Sequence, residues 1–258
     1  MTKRSGGAWR LISLGIVLTL AAAHAPAAES KVKTLMVGLN FDHFSRTIVW
    51  EGDTDPSPLR ASLVSGRADL GFGKGLTLSL SAGLSLTNGK GLTFGMLPIT
   101  LDYDASLMKG LVLGAELEAI LRKSGNFEIK AAGRIVSSFG MPKTWPLEGF
   151  AVEGEAKGRA NWMEVSAGPR LAYVLSETFV PYLEVNARWL RADARMEETL
   201  ADLQGLETKR IKGDLSFSVA LGGNARVSDR LTLKAKAGLV PFAGGADALA
   251  SISLLYMF

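Results

Sequence analysis

The sequence predicts an all-β protein, a closed antiparallel transmembrane β-barrel of about twelve strands, with ten or fourteen strands as alternatives. The first observation is that apolar and polar side chains alternate residue by residue through most of the chain, as in 76–82 and 231–237. Successive side chains of a strand point to opposite faces, so each such run has one apolar face and one polar face. The second observation is that turn sequences such as Ser124-Gly125-Asn126 separate these runs.

Two architectures produce this alternation, and they differ in which face meets the surroundings. A soluble β-sandwich hides its apolar face inside, whereas a membrane barrel turns that face toward lipid and lines its interior with the polar one. The polar face here is heavily charged, and many runs reach the roughly 9–11 residues that cross a bilayer at a tilt. Aromatic residues recur near the predicted strand ends, as barrel girdles require: Phe72, Phe127, Trp145, Phe150, Trp162, Tyr173, Phe179 and Trp189. The barrel is therefore favoured.

The alternation and the turn sequences together place the strands along the chain. We expect strands at 33–50, 58–70, 76–86, 97–108, 111–122, 127–138, 149–158, 162–175, 179–194, 209–226, 231–240 and 248–258. The longest loop is expected at 195–208, where a helical turn would fit between Met196 and Leu206. This order of strands would put the connection 139–148 at the periplasmic end of the barrel. Ten residues are too long for that end, where short turns are expected.

The first 27 residues have the pattern of a secretory signal peptide. Lys3, Arg4 and Arg10 accompany an apolar run at 11–23, and Ala25-Pro26-Ala27 supplies the small residues that precede cleavage. The alternative is an uncleaved anchor, but the run is shorter than the roughly 20 residues of a spanning helix. Residues 1–27 are thus predicted to be a leader and residues 28–258 a single barrel domain.

Charge and composition exclude several classes of function. The leader holds three of the 29 basic residues and none of the 25 acidic ones, so the net charge of +4 falls to +1 without it. A nearly neutral chain gives no reason to expect a nucleic-acid partner. The absence of cysteine excludes disulfides, thiol catalysis and cysteine-ligated zinc. Carboxylate pairs at 53 and 55 and at 102 and 104 lack a calcium-loop pattern, so neither a metal nor a cofactor is predicted.

The end of the chain carries the most specific motif. In residues 248–258, Phe258, Tyr256, Leu254 and Ile252 share one face of the predicted last strand. This pattern resembles the terminal strand of Gram-negative outer-membrane β-barrel proteins. The resemblance implies that Phe258 and Tyr256 are recognised by the barrel-assembly machinery. The chain is expected to lie in the lipid of the cell outer membrane, as a monomer.

The polar face of the strands defines the predicted barrel interior. Its expected pore-lining residues are Asp102, Asp104, Glu116, Glu118, Glu153, Glu155, Arg170, Glu184, Arg188, Lys234 and Lys236. The acidic group at 102–118 would face the two lysines across the lumen and orient polar solutes in a narrow pore. The same charges could instead pair between strands in a closed interior. The predicted function is accordingly structural, or that of a passive channel for small solutes.

Two other functions remain open from the sequence. His43 and Ser45 fall on the apolar face of the first strand, and their spacing is similar to the His-x-Ser element of the outer-membrane phospholipase A family. That resemblance implies a lipid hydrolase with Ser45 as nucleophile and His43 as base, although no orienting partner can be identified and an enzyme is not the expected outcome. A surface receptor or adhesin could act through the loops at 51–57 and 195–208.

Overall fold

The computed structural model describes residues 32–53, 55–89, 92–99, 101–103, 108–147, 153–211 and 214–258. The predicted signal peptide lies outside the described residues, as do Asp104 and Phe150. The strands in chain order are β1 (Val32–Ile48), β2 (Ser57–Phe72), β3 (Leu76–Gly89), β4 (Leu92–Phe94), β5 (Leu101–Tyr103), β6 (Met108–Ser124), β7 (Phe127–Gly140), β8 (Lys143–Pro146), β9 (Gly154–Tyr173), β10 (Phe179–Leu200), β11 (Leu203–Arg210), β12 (Asp214–Arg226), β13 (Leu231–Phe242) and β14 (Gly245–Met257).

Antiparallel hydrogen bonding closes ten of these strands into a ring. The order around the ring is β1, β2, β3, β6, β7, β9, β10, β12, β13 and β14, after which β14 pairs with β1. Phe41 illustrates the closure, because its strand places it opposite Val64 on one side and Ile252 on the other. Closure leaves no free sheet edge in the ring. The predicted closed antiparallel barrel is confirmed.

The described part of the main sheet holds twelve strands, but two of them lie outside the ring. The ring therefore has ten strands, which is one of the two alternatives to the expected twelve. β8 pairs with the start of β9, and β11 pairs with the end of β10. β4 and β5 form a separate pair within the connection between β3 and β6. The expected strand at 97–108 is therefore absent from the ring. The apolar residues of this segment recur at every second position, from Leu97 through Leu101 to Leu107, so alternation alone predicted a strand of the ring. Alternation carries no information on pairing partners, and it could not show that the described part of the segment pairs apart from the ring.

The expected long loop at 195–208 is instead the hairpin of β10 and β11. β10 runs for 22 residues, about twice the length that a bilayer crossing needs, so its second half extends beyond the ring. The charged residues of this half, such as Arg195 and Glu197, are compatible with a strand because this part of β10 leaves the apolar surroundings.

The two faces of the strands differ as the alternation predicts. On β1, Leu39 is 68% exposed while its neighbour Asn40 is 3% exposed and faces the interior. Exposed large apolar side chains cover the outside of the ring, among them Val64, Leu84, Leu113, Phe217, Leu221 and Leu254. The ring is thus apolar outside and polar over much of its inside, which is the arrangement of a transmembrane barrel. No helix in the described part of the chain is long and apolar enough to cross a membrane.

The two ends of the barrel have different connections. β1 begins and β14 ends at the same end, which we call the short-turn end because the connections there include a single turn at 73–75 and the two residues 125–126. The opposite end, the long-loop end, carries β4, β5, β8 and β11. In outer-membrane barrels the short turns face the periplasm and the longer connections face outward.

Candidate functional site in the barrel interior

Arg170 is the centre of a charged cluster in the interior. It is buried on β9 and donates from Nε to Oε2 of Glu184 on the adjacent β10 at 2.8 Å. The same guanidinium forms ion pairs with Glu118 and Glu116 of β6, which lies two strands away in the ring. Its plane lies over the ring of Tyr182, with 4.4 Å between the guanidinium carbon and the ring centroid. One side chain thereby links three walls of the barrel.

Other ion pairs cross the interior between strands that are not neighbours. Arg134 on β7 reaches Asp42 on β1 at 2.5 Å, four strands away around the ring. Lys234 on β13 reaches Asp69 on β2 at 2.6 Å, three strands away. We call these contacts cross-braces, because each joins two non-neighbouring strands through the lumen. In an open pore the same space would be filled with water.

The charges of the interior ion pairs balance within the described residues. Seven carboxylates and seven cations take part in these ion pairs: Asp42, Asp69, Glu116, Glu118, Glu128, Glu164 and Glu184 with Arg67, Lys130, Arg134, Arg170, Arg188, Lys234 and Lys236. Removing a charge from water is costly unless a partner and hydrogen bonds compensate. The pairing therefore explains how so many charges can lie inside a narrow barrel.

Little space remains among these side chains. A cavity of about 60 Å³ is lined by Arg67, Glu116, Arg170, Tyr182 and Lys234, among others. Its lining is polar, so it can hold a few ordered water molecules. A cavity of this size is a hydration site within the ionic cluster rather than a passage for a solute.

An apolar cluster fills the interior near the long-loop end and continues beyond the ring, although polar side chains such as Arg46 are buried nearby. Trp50, Phe94, Leu190 and Met196 are nearly inaccessible, and they form one cluster with inward-facing residues of the ring such as Trp162. Phe94 belongs to β4, so the connection between β3 and β6 supplies part of the filling. We call residues 92–99 the plug segment.

Polar contacts hold the plug segment in place. The backbone N–H of Met96 donates to Glu207 of β11 at 2.7 Å, and that of Ile99 donates to Glu198 of β10 at 3.3 Å. Trp50, which packs in the same cluster, donates from its indole N–H to Ser57 at 2.9 Å. The barrel is thus filled by ion pairs at one level and by an apolar core at another.

Most of the predicted pore-lining residues lie in the interior, although they are paired. The structure places seven of them inside: Glu116, Glu118, Arg170, Glu184, Arg188, Lys234 and Lys236. Glu116 and Glu118 meet Arg67 and Arg170 rather than the two lysines. The expected field between an acidic and a basic wall is therefore replaced by local pairs.

Four predicted residues do not join the interior cluster. Glu153 and Glu155 are exposed. β9 is continuous over 154–173, so the inward position of Glu164 places Glu155 on the outer face, whereas the sequence suggested two strands with independent phases. Asp102 lies in β5, which is not part of the ring, and its side chain and Asp104 are outside the described residues.

Sequence reasoning missed Asp42, Arg67 and Asp69. All three lie on the inward phase of their strands. Asp42 follows the buried Asn40 by two residues on β1, and Arg67 and Asp69 follow the buried Ser65 by two and four residues on β2. Their alternation was visible in the sequence, but their partners on β7, β6 and β13 were not.

The structure does not bring His43 and Ser45 together. Both lie on the same face of β1 as Leu39 and Phe41, which is the outward face, as expected. His43 Nδ1 is hydrogen-bonded to Oγ of Ser62 on β2 at 2.9 Å, while Ser45 Oγ donates to Asp247 of β14 at 3.4 Å. The two side chains thus use partners on opposite neighbouring strands.

The last residues close the ring at the short-turn end. Tyr256 is on the outer face and packs edge-on against Phe258, with 5.2 Å between the ring centroids. The backbone N–H of Phe258 donates to Leu35 of β1 at 3.0 Å. Both predicted assembly residues are therefore accessible from outside the barrel. Within the described residues, no group of three or more His, Asp or Glu side chains is arranged to hold a metal ion.

Comparison with known proteins supports the fold. No protein-family model and no curated protein matches the chain. Among solved structures, the translocator domain of the autotransporter NalP from Neisseria meningitidis is similar, with a TM-score of 0.51, 10% sequence identity and 96% of each chain covered. The outer-membrane protease OmpT from Escherichia coli has a TM-score of 0.46 and 11% identity, covering 90% of this chain and 99% of OmpT. The likeness to NalP shows the fold, that of Gram-negative outer-membrane β-barrels.

Proposed function

We propose that this protein is a closed structural barrel of the Gram-negative outer membrane and not an open channel. The observation that carries the proposal is the double obstruction of the interior, by cross-braces such as Arg134–Asp42 and by the apolar core around Phe94. Its apolar exterior and its fold support a location in the outer membrane. Export through the predicted signal peptide is part of the same proposal.

Barrel size is consistent with a filled interior. Eight-stranded barrels have interiors that side chains can fill, whereas barrels of sixteen or more strands leave an aqueous channel. The ten-stranded ring lies near the lower limit. An ion that crossed it would have to separate buried ion pairs and then pass an apolar core, both of which are energetically unfavourable.

Conductance in planar bilayers tests the proposal. We expect no steady ion-conducting steps from the purified protein, while a porin recorded in the same apparatus conducts. Insertion is checked in liposomes by protease digestion of the long-loop end, so that silence reports a closed barrel rather than a failure to insert. Steady steps of uniform size from the wild-type protein would contradict the proposal and favour the small-solute channel.

A second candidate function is surface contact, which a specific feature of the long-loop end favours. β8, residues 154–161 of β9, residues 193–200 of β10, and β11 lie side by side beyond the ring. We call this the external sheet. A sheet fixed to a closed barrel could present a rigid surface to another molecule, as a receptor or adhesin does. Leu203 and Leu206 of β11 are 60% and 56% exposed on this sheet. Replacing both with Ser should then reduce attachment of expressing cells to surfaces or to each other without changing barrel folding or conductance.

A further inference from the structure

Cationic side chains outnumber acidic ones on the outside of β6, β9 and β10 near the long-loop end, where five cations share the outward phase with Glu155, Asp193 and Glu197. Lys109 of β6, Lys157 and Arg159 of β9, and Arg191 and Arg195 of β10 lie on the outward phase of their strands. We call these five residues the cationic belt. Along β10, Arg191 follows Trp189 on the same face, after the exposed Leu183 and Val185. The belt therefore begins where the apolar band ends, at the level of lipid headgroups.

These cations lack the partners that the interior cations have. Among the described residues, Lys109, Lys157, Arg159 and Arg191 form no ion pair, and only Arg195 has one, with Glu197 at 2.6 Å. In the interior, by contrast, Arg67, Arg134 and Arg170 are all paired. Four of the five outer cations are thus available to anions that do not belong to this chain.

Two of the arginines are held in an unfavourable position relative to each other. Arg159 and Arg195 are directly opposite in the pairing of β9 with β10. Like charges at such positions destabilise a sheet. An anion bound between the two guanidinium groups would remove this repulsion.

A groove beside this pair has room for such an anion. It has a volume of about 180 Å³, and its lining includes Lys157, Arg159, Arg195 and Glu197, which leaves a net charge of +2. Nε of Arg195 is buried and has no hydrogen-bond partner among the described residues. Guanidinium groups bind phosphate through paired N–H donors, which makes phosphate a better match than a single-point anion.

We propose that the cationic belt binds the headgroup of an outer-leaflet lipid that carries more than one phosphate. Acyl chains of this lipid would lie along the apolar band below Trp189, while its phosphates would meet Arg159, Arg191 and Arg195. The extent of the belt over three strands favours a headgroup with several charges over a single phosphate. The inference depends on the proposed outer-membrane location, but not on whether the barrel conducts.

The test compares belt arginines with arginines at the other end of the barrel. The probe is purified lipid A, a diphosphorylated acylated disaccharide, titrated onto the folded full-length protein in a neutral detergent. Arg159→Gln/Arg191→Gln/Arg195→Gln removes three belt charges, and Arg122→Gln/Arg226→Gln/Arg230→Gln removes three exposed charges near the short-turn end. Heat-modifiable migration on gels shows that each variant is folded.

We expect the belt variant to bind lipid A roughly tenfold to a hundredfold more weakly, since each cation near a membrane surface adds to the attraction of anionic lipid. The control variant should bind within about twofold of wild type, and dephosphorylated lipid should bind as weakly to wild type as lipid A does to the belt variant. Unchanged binding by the belt variant, or an equal loss in the control, would overturn the proposal. Full competition by inorganic phosphate would overturn it too, by showing a site for free anions.

This outcome is separable from that of the conductance experiment. Lipid binding is measured in detergent and does not require insertion or a closed interior. A loss of the lipid proposal would leave the silent barrel unaffected, and a conducting barrel could still bind lipid A at the belt.

Discussion

Arg134 and Asp42 show how individual side chains hold the interior together. Both are at least three-quarters shielded from solvent, and they come from β7 and β1, which no backbone hydrogen bond connects. Their attraction is strengthened by low polarity, but each charge would be expensive to leave there alone. Removing one partner alone should therefore change stability more than removing both, because it leaves the other charge buried without compensation.

Removing Arg134 alone should be strongly destabilising. We expect Arg134→Met to lower the free energy of unfolding by about 3–5 kcal/mol, because Asp42 is left charged and buried without its partner. The double variant Arg134→Met/Asp42→Asn should recover much of that loss, because no unpaired charge remains. Urea unfolding in lipid vesicles, followed by tryptophan fluorescence, provides the measurement.

An exposed ion pair supplies the control for this experiment. Lys123 contacts Glu128 at 2.6 Å but is 63% exposed. Lys123→Met should cost less than about 1 kcal/mol, because water screens the pair. If Arg134→Met were as mild as Lys123→Met, the cross-brace would contribute no stability and the interior would be more hydrated than the structure indicates.

Among the strands, β14 combines a structural role with a proposed recognition role. Residues 249–257 pair with β1 and close the ring, whereas Phe258 follows the strand and is 78% exposed. Its side chain contacts Tyr256 and can contribute little to the barrel core. Stability and assembly should consequently separate at this residue.

Phe258→Ala tests that separation. If the assembly machinery recognises this aromatic residue, we expect several-fold less folded barrel in the outer membrane of expressing cells, while the stability of protein refolded in vitro changes by less than about 1 kcal/mol, as for other surface substitutions. Phe217→Ala, which also removes an exposed aromatic side chain but from β12, should assemble normally. Normal cellular assembly of Phe258→Ala would argue against a signal at this residue.

β9 and β10 show how far the alternation could predict individual strands. The crossing parts at 162–175 and 179–194 were expected close to where they lie, because their apolar residues recur at every second position. Residues 154–158 were expected in a separate strand at 149–158, residues 159–161 in a connection, and residues 195–200 in a loop. Only the pairing of these residues with each other and with β8 and β11 shows that they continue β9 and β10.

The molecule as a whole presents its apolar surface outward, so substitutions there should behave differently from those on a soluble protein. Leu221 is 67% exposed in the ring, and Leu203 is 60% exposed at the start of β11. A soluble protein would tolerate Arg at either position. A membrane barrel would tolerate it only outside the bilayer.

We therefore expect Leu221→Arg to lower the free energy of unfolding in vesicles by about 2–4 kcal/mol, and Leu203→Arg to change it by less than about 1 kcal/mol. Reversible urea unfolding in vesicles measures both values. Equal, small effects would place Leu221 in water and contradict the transmembrane orientation.

The local order of residues was enough to establish that this chain forms strands with one apolar and one polar face, because side-chain alternation is a property of each strand alone. It did not establish the ten-membered ring, the filling of its mouth by Phe94, or the pairing of Arg134 with Asp42. Those features depend on contacts between residues tens of positions apart, about which the period of a single strand carries no information. Whether the polar interior is open or filled follows from these distant contacts, and they fill it.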